Sequence, residues 1–366
     1  MFPNPIYPTM QQLVVVELAS VLAGPSVGMF FAELGARVIK VENKKTKGDV
    51  TRTWKLPQEN PQDPLSAYYC SVNWNKEIFW ADLADQADLQ AVYELIAKAD
   101  IVISNFKGGD SQKLKVDYDS LRALNERLIY AEITAFGRDS SRIGYDMVLQ
   151  AESGWLYMNG LPDELPAKLP VAVIDILAAH QLKEAILLSL LERQHTQKGS
   201  YVSVSLLDTA IASLANQATN WLIAGHIPQR LGSKHPNIAP YGDLFMTKDM
   251  KWVVLAVGTQ RQFEQLCKVL TIEEILEEGR FDTNADRVAR RKDLYWILQE
   301  NIRQWECDVF LRFCHNAGVP VGMMRNMKEV FEQTEAQDML LQYPTDPASD
   351  EPVRRCVRTV VFRKIE

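Results

Sequence analysis

Asp175 is the carboxylate with the most distinctive setting in this 366-residue chain: it follows the apolar run 171–174 and precedes residues 176–193, a stretch apolar on most faces. An acidic side chain at the start of a helix accepts the unpaired N–H groups of the first turn, so Asp175 taken alone reads as an N-cap. Ala23, Gly24 and Pro25 form a turn between two apolar runs. Such a turn leaves backbone N–H groups aimed at a ligand phosphate or acyl group. Glu42 ends the second run, where a dinucleotide-binding fold places the acid that meets a ribose hydroxyl. The glycines do not fit that reading, because Gly24 and Gly28 flank Pro25 instead of forming GxGxxG. Tyr145 and Asp146 stand side by side, and on their own they read as a core tyrosine and a helix cap. The five histidines, His180, His195, His226, His235 and His315, show no ligand spacing, and neither a zinc motif nor a GxSxG serine elbow is present. His235 reads as a turn or interface residue, and Glu273, Glu274, Glu277 and Glu278 as a solvated helix face.

The elements that must position these residues read as an α/β chain. Residues 13–16 and 37–41 are β-branched runs fit for buried parallel strands, and the stretch between them is too long for a hairpin, which makes a βαβ crossover. Residues 101–104 and 128–134 extend the sheet, and 201–204 adds a short strand. Residues 154–170 form a loop, 176–193 a largely buried helix, and 208–224 a second helix. From 225 to 241 the composition shifts to Gly, Pro, His and Asn, the mark of a linker. Beyond it come a strand at 252–257 and helices at 260–270, 287–307 and 309–317. The organisation expected is a large domain over 1–224, a small domain over 225–320, and a segment 321–366 that returns to the large domain.

The length exceeds one ordinary core and suggests at least two domains. A hydrophobic fraction of 47% with 24% charged residues is that of a soluble globular protein, and a net charge of -7 argues against a nucleic-acid partner. Five scattered cysteines without a CxxC pair fit reduced thiols in the cytoplasm, with no metal and no disulfide. The N-terminal stretch 1–12 lacks the basic start and apolar core of a signal peptide, and residues 18–32 are too short to span a membrane.

Several of these stretches together resemble a known family. Leu22 to Pro25, Gly28, Leu34 to Ala36, Val38 to Glu42, Gly48, Asp49 and Arg52 match the opening pattern of the class III CoA-transferases, the group that includes formyl-CoA and carnitine CoA-transferases. Further blocks follow in the family's order: NFKGGDSQKLKVDY from Asn105, YDMVLQAESG from Tyr145, TQKGSYVSVSLLD from Thr196 to Asp208, HPNIAPY from His235, and AGVPVGMMRNMKEVF around Val319. The resemblance implies a Rossmann-like large domain with a parallel sheet, a smaller α/β domain and an interlinked homodimer. It makes Asp175 the nucleophile that accepts CoA, with Leu22 and Ala23 on the wall of the pocket. Asn43, Asn105, Phe106 and Lys107 then lie toward the adenosine end of CoA, and Lys113 meets phosphate. Tyr145 and Asp146 match a pair at which the related racemases carry His before Asp, as a base of near-neutral pKa.

A carboxylate suits such a reaction. Its attack on a thioester gives a mixed anhydride, and the returning thiolate gives an aspartyl thioester, so the acyl group stays activated provided water is excluded. Three departures from the family accompany the match. Ser104 replaces a Glu, Gly108 replaces a Pro, and no glycine-rich run stands between Gly225 and Gly322. The expectation is an enzyme moving CoA between an acyl-CoA and a carboxylic acid, with CoA as substrate and no tightly bound cofactor. The alternatives are an acyl-CoA racemase or isomerase on the same fold, with Asp175 as base, and a non-catalytic CoA-binding protein.

Overall fold

Alternation along the strands builds the sheet. In β1 (Val14–Glu17), Val15 faces one core and Val16 the other, and the same split separates Ile101 and Ile103 from Val102 in β4 (Ile101–Ser104). A strand buried on both faces needs helices on both sides, which parallel crossovers supply. The computed structural model describes residues 7–277, 279–343 and 353–362. Residues 1–6 of the N-terminal stretch, Glu278 and parts of the C-terminal segment lie outside them.

Six strands form one parallel sheet in the order β3-β2-β1-β4-β5-β6, with β2 at Arg37–Glu42, β3 at Glu77–Trp80, β5 at Ile129–Thr134 and β6 at Ser200–Ser205. Strand β3 was not anticipated, because EIFW is only four residues long and half exposed. The helices Ala23–Glu33 and Val173–Thr196 cover one face through Phe30, Phe31, Ala178, Leu182 and Ile186. Gln86–Ile96 covers the other through Leu89, Val92 and Ile96. The first crossover requires glycine at Gly28, where a Cβ would lie 1.8 Å from the carboxylate of Glu17.

Several helix boundaries differ from expectation: Ala23 to Pro25 open the Ala23–Glu33 helix instead of forming a turn, and the helix expected over 287–307 is two helices, Asn284–Ala289 and Arg291–Ile302, with Cys307 opening the next. The long helix starts at Val173, not after Asp175, so Asp175 sits inside the first turn and the N-cap position falls to Ala172, which has no capping side chain. The helix expected over 208–224 is two helices, Leu206–Ala212 and Asn216–Ala224, broken where Ala215 adopts φ 50°. The β10 (Leu340–Gln342) and β11 (Arg355–Val357) strands pair antiparallel, and Glu33 accepts hydrogen bonds from the Thr359 and Val360 backbones.

By contact density the chain divides into two compact units. The first comprises 1–156, 168–227 and 334–366, and the second 157–167 and 228–333. The second unit holds an antiparallel sheet of β7 (Tyr241–Met246), β8 (Trp252–Ala256) and β9 (Val321–Met323). Its core packs Phe245, Val253 and Leu255 against Phe263, Leu294, Leu298 and Phe310. His235 lies in a turn here, its Nδ1 accepting from the Asn237 N–H at 3.1 Å and its ring edge-on to Tyr241. All five cysteines are buried free thiols. No helix among the described residues is long and apolar enough to cross a membrane.

Candidate active site

The carboxyl ends of parallel strands are where an α/β sheet holds its ligands. A cavity of about 270 Å³ opens there in the first unit. Its wall includes Ser20, Val21, Leu22 and Ala23 after β1, Asn105, Phe106 and Lys107 after β4, the 137–145 loop after β5, and Asp175. Leu22, Ala23, Asn105, Phe106, Lys107, Tyr145 and Asp175 are thus brought together from four separate stretches of the chain.

Asp175 is half buried, and burial together with the negative charge of Asp146 pushes its carboxyl up to about 7. Burial penalises the charged form first, and a second carboxylate nearby adds to it. Asp146 opens the Asp146–Glu152 helix and does not line the cavity; it braces the helix that carries Asp175 instead. Its Oδ1 accepts from the Ile174 N–H at 2.8 Å, and its Oδ2 accepts from Gln150 Nε2 at 2.5 Å. Gln150 Oε1 in turn accepts from the Leu169 N–H at 3.1 Å. The cap that Asp175 does not provide therefore comes from another helix. Tyr145 is 59% exposed, which removes the reading of it as a core residue.

The turn after β1 is held by side chains on every side. Asn105 pairs with Ser20 in both directions, accepting from its N–H at 3.0 Å and donating to its carbonyl at 2.8 Å. Its carboxamide is thereby occupied by the protein itself. Val21 adopts φ 71°, a conformation costing a β-branched residue on the order of 1–3 kcal/mol. Its N–H points at the Asp49 carboxylate, at 3.1 and 3.4 Å from the two oxygens. Asp49 in turn meets Lys40 at 3.0 Å, and Lys40 also donates to Glu17 and to the Ala19 carbonyl, each at 2.8 Å. Burial would raise the Asp49 carboxyl, but Lys40 and the hydrogen bonds of Thr51 outweigh it and hold it below the ordinary value.

Glu42 is closed to any ribose. Arg52 grips both of its oxygens at 2.7 and 2.8 Å, Tyr69 donates to it at 2.7 Å, and the Asp49 N–H at 3.0 Å. Asn43 is exposed and outside the cavity wall, its Oδ1 capping the Lys45 N–H at 2.8 Å. Lys113 is likewise exposed and outside the wall, paired with Asp110 at 3.0 Å. Gly108, in place of the family proline, passes under the 137–145 loop, where a Cβ would come within 2.7 Å of the Ser140 carbonyl.

Sequence reasoning missed several residues of the wall. Glu132 interrupts the apolar strand β5, and a charge inside a buried run was the signal available. Its carboxylate accepts from the Tyr201 hydroxyl and is pushed up by burial, while Tyr201 stacks on Tyr118 with Arg138 above it. Tyr68, outside the wall and edge-on to Trp54, is pushed up to about 12 by burial and then by the charges of Asp175, Asp146 and Asp49. Among the described residues no group of three or more His, Cys, Asp or Glu side chains is arranged to hold a metal ion.

Known proteins resemble this chain in sequence and fold. A sequence profile of CoA-transferase family III matches residues 10–362. The chain is 38% identical to a succinate–glutarate CoA-transferase of Agrobacterium fabrum, over 97% of this chain and 89% of that protein. It is 33% identical to the human succinyl-CoA:glutarate CoA-transferase, covering 90% and 75% respectively, and 33% identical to an acetyl-CoA:oxalate CoA-transferase of Acetobacter aceti, covering 90% and 85%. The crystal structure of a CAIB/BAIF family protein from Brucella suis superposes with a TM-score of 0.82 at 37% identity, over 96% of this chain and 92% of that one.

Proposed function

This chain belongs to CoA-transferase family III and is a CoA-transferase, and from the position of Asp175 we propose that it transfers CoA through a covalent aspartyl-CoA intermediate. The observation that carries this reading is the Asp175 carboxylate, half buried on the wall of a cavity it shares with Leu22, Ala23, Asn105, Phe106, Lys107 and Tyr145.

The ionised carboxylate attacks the thioester carbonyl of the donor. The C–S bond breaks, leaving an acyl–aspartyl anhydride and CoA thiolate. The thiolate then attacks the aspartyl carbonyl of the anhydride, releasing the donor acid as its carboxylate and leaving Asp175 as a thioester of CoA. The acceptor's carboxylate attacks that thioester, giving a second anhydride and thiolate. Attack of the thiolate on the acceptor's acyl carbon forms the new acyl-CoA and regenerates the Asp175 carboxylate. Each step conserves an activated acyl bond, so no nucleotide is consumed. Partial burial serves this sequence by keeping water from anhydride and thioester. The same burial, with the charge of Asp146, holds the Asp175 carboxyl raised to about 7, so its ionised form is disfavoured relative to an ordinary aspartate.

Donor and acceptor are taken to be short dicarboxylic acids, on the strength of relatives named for succinate, glutarate and oxalate. The active form is taken to be a cytoplasmic homodimer; the exposed Trp221, Leu222 and Ile223 of the Asn216–Ala224 helix support a covered apolar face. Incubation with succinyl-CoA, followed by intact mass measurement, tests the intermediate. The mass of CoA less water is expected on wild-type protein and not on Asp175→Asn. Turnover of succinyl-CoA with glutarate or oxalate by Asp175→Asn at the wild-type rate would refute it.

A further inference from the structure

The buried ion network behind the β1 turn reaches the cavity wall through the backbone N–H of Val21. Glu17, Lys40, Asp49 and Lys76 bury two acids and two amines together, with side chains all but inaccessible. Lys76 meets Glu17 at 2.8 Å and donates to the Pro25 carbonyl at 2.9 Å, and Lys40 donates to the Ala19 carbonyl. The network therefore grips the chain on both sides of residues 20–24. Between these anchors stands Val21, left-handed and β-branched, with its N–H held by Asp49. Leu22 and Ala23, which follow it, line the cavity.

We propose that Asp49 is a positioning residue for CoA binding, acting through the backbone of Val21. The Asp49 carboxylate on its N–H opposes the preference of valine for negative φ, and without it relaxation of residue 21 swings Leu22 and Ala23 away from the cavity wall. Lys40 keeps Asp49 charged and in place: burial alone would lower the lysine's own pKa, but Glu17 and Asp49 together hold it raised. A buried ion pair is weak evidence of stabilisation in itself, and a role in fixing one conformation is the better-supported use of such a group. The inference rests on the cavity being the CoA site.

A double-mutant cycle tests it, using Asp49→Asn, Val21→Gly and the pair, with free CoA binding by calorimetry and steady-state kinetics with succinyl-CoA and glutarate. Loss of a charged acceptor for a buried N–H is expected to weaken CoA binding and raise the KM for succinyl-CoA roughly 10- to 100-fold, with kcat within about twofold of wild type. Glycine adopts positive φ freely, so in the Val21→Gly background the effect of Asp49→Asn is expected to shrink to about threefold or less. Equal effects in the two backgrounds, or a fall in kcat with KM unchanged, would overturn the proposal. Should Asp49→Asn not fold, Val21→Gly and Val21→Ala decide the matter. Glycine is expected to melt higher than alanine at this position and to bind CoA at least as tightly; the reverse order on both counts overturns the role given to residue 21. Wild-type protein that binds no CoA would remove the proposed function as well, whereas wild-type turnover with additive mutational effects removes this inference alone.

Discussion

Asp146 caps the helix that carries Asp175: its Oδ1 accepts the Ile174 N–H at 2.8 Å, so one carboxylate fixes the other's first turn and at the same time repels its charge. The two effects separate experimentally, because an amide oxygen still accepts the hydrogen bond without carrying the charge.

Asp146→Asn is therefore expected to move the pH profile of the enzyme to lower pH. In wild type kcat/KM is expected to rise with pH through about 7, as the proposed nucleophile Asp175 ionises. Burial is the larger cause of the raised value, so the midpoint in Asp146→Asn falls by roughly one unit or less and does not reach an ordinary aspartate. A profile of kcat/KM between pH 5 and 9 with an unmoved midpoint would show that Asp146 acts on Asp175 only through the cap.

Asp175→Asn is expected to abolish turnover, by roughly 10³-fold or more, and yet to stabilise the fold at alkaline pH. The sign follows from the raised folded-state pKa of an acid. Between the unfolded value of 3.8 and about 7 the folded protein holds the extra proton, so wild-type stability falls as pH rises through that window. The advantage of the asparagine variant should thus grow from pH 4 to pH 8, reaching roughly 1–4 kcal/mol. Urea unfolding at both pH values measures it, and a gap that narrows toward pH 8 would contradict the buried, raised carboxyl.

Glu42→Ala should cost about 3–5 kcal/mol, because Arg52 is left without the acid that grips it and Tyr69 without its acceptor. Burial would raise the Glu42 carboxyl, but the hydrogen bonds of Arg52 and Tyr69 hold it below its ordinary value. Wild-type stability from this group is present above the unfolded pKa and is lost as pH falls through the lower folded value. Denaturant midpoints at pH 7 check the size of the effect; a loss below about 1 kcal/mol would mark the pair as a surface-like bridge.

Gly108→Ala probes the loop that crosses the cavity. A methyl group there meets the Ser140 carbonyl at 2.7 Å, so the 137–145 loop must shift. Overpacking of this kind costs about 1–3 kcal/mol, and the loop lines the cavity, so the KM for succinyl-CoA is expected to rise roughly 5- to 100-fold with kcat little changed. An unchanged KM would mean that the loop yields without touching the substrate.

Local pattern was sufficient for much of the fold. The β-branched runs at β1, β2, β4 and β5 and the helix Gln260–Leu270 follow from periodicity and flanking turn residues within a few positions. Short β3 and the break at Ala215 escaped it, since neither four residues nor one left-handed alanine leaves a period to read.

The amino-acid sequence by itself determined the α/β alternation and the order of motifs, including an acid at the start of an apolar helix. These are properties of neighbours along the chain. Tertiary structure alone decided that Asp146 caps the helix of Asp175, that Arg52 consumes Glu42, that Asn105 binds the Ser20 backbone, and that Asn43 and Lys113 stand outside the cavity wall. The physical reason is that burial and charge at a carboxylate depend on what the strand order brings beside it. Contacts across 28 residues to Asp146 and 85 to Ser20 leave no local trace.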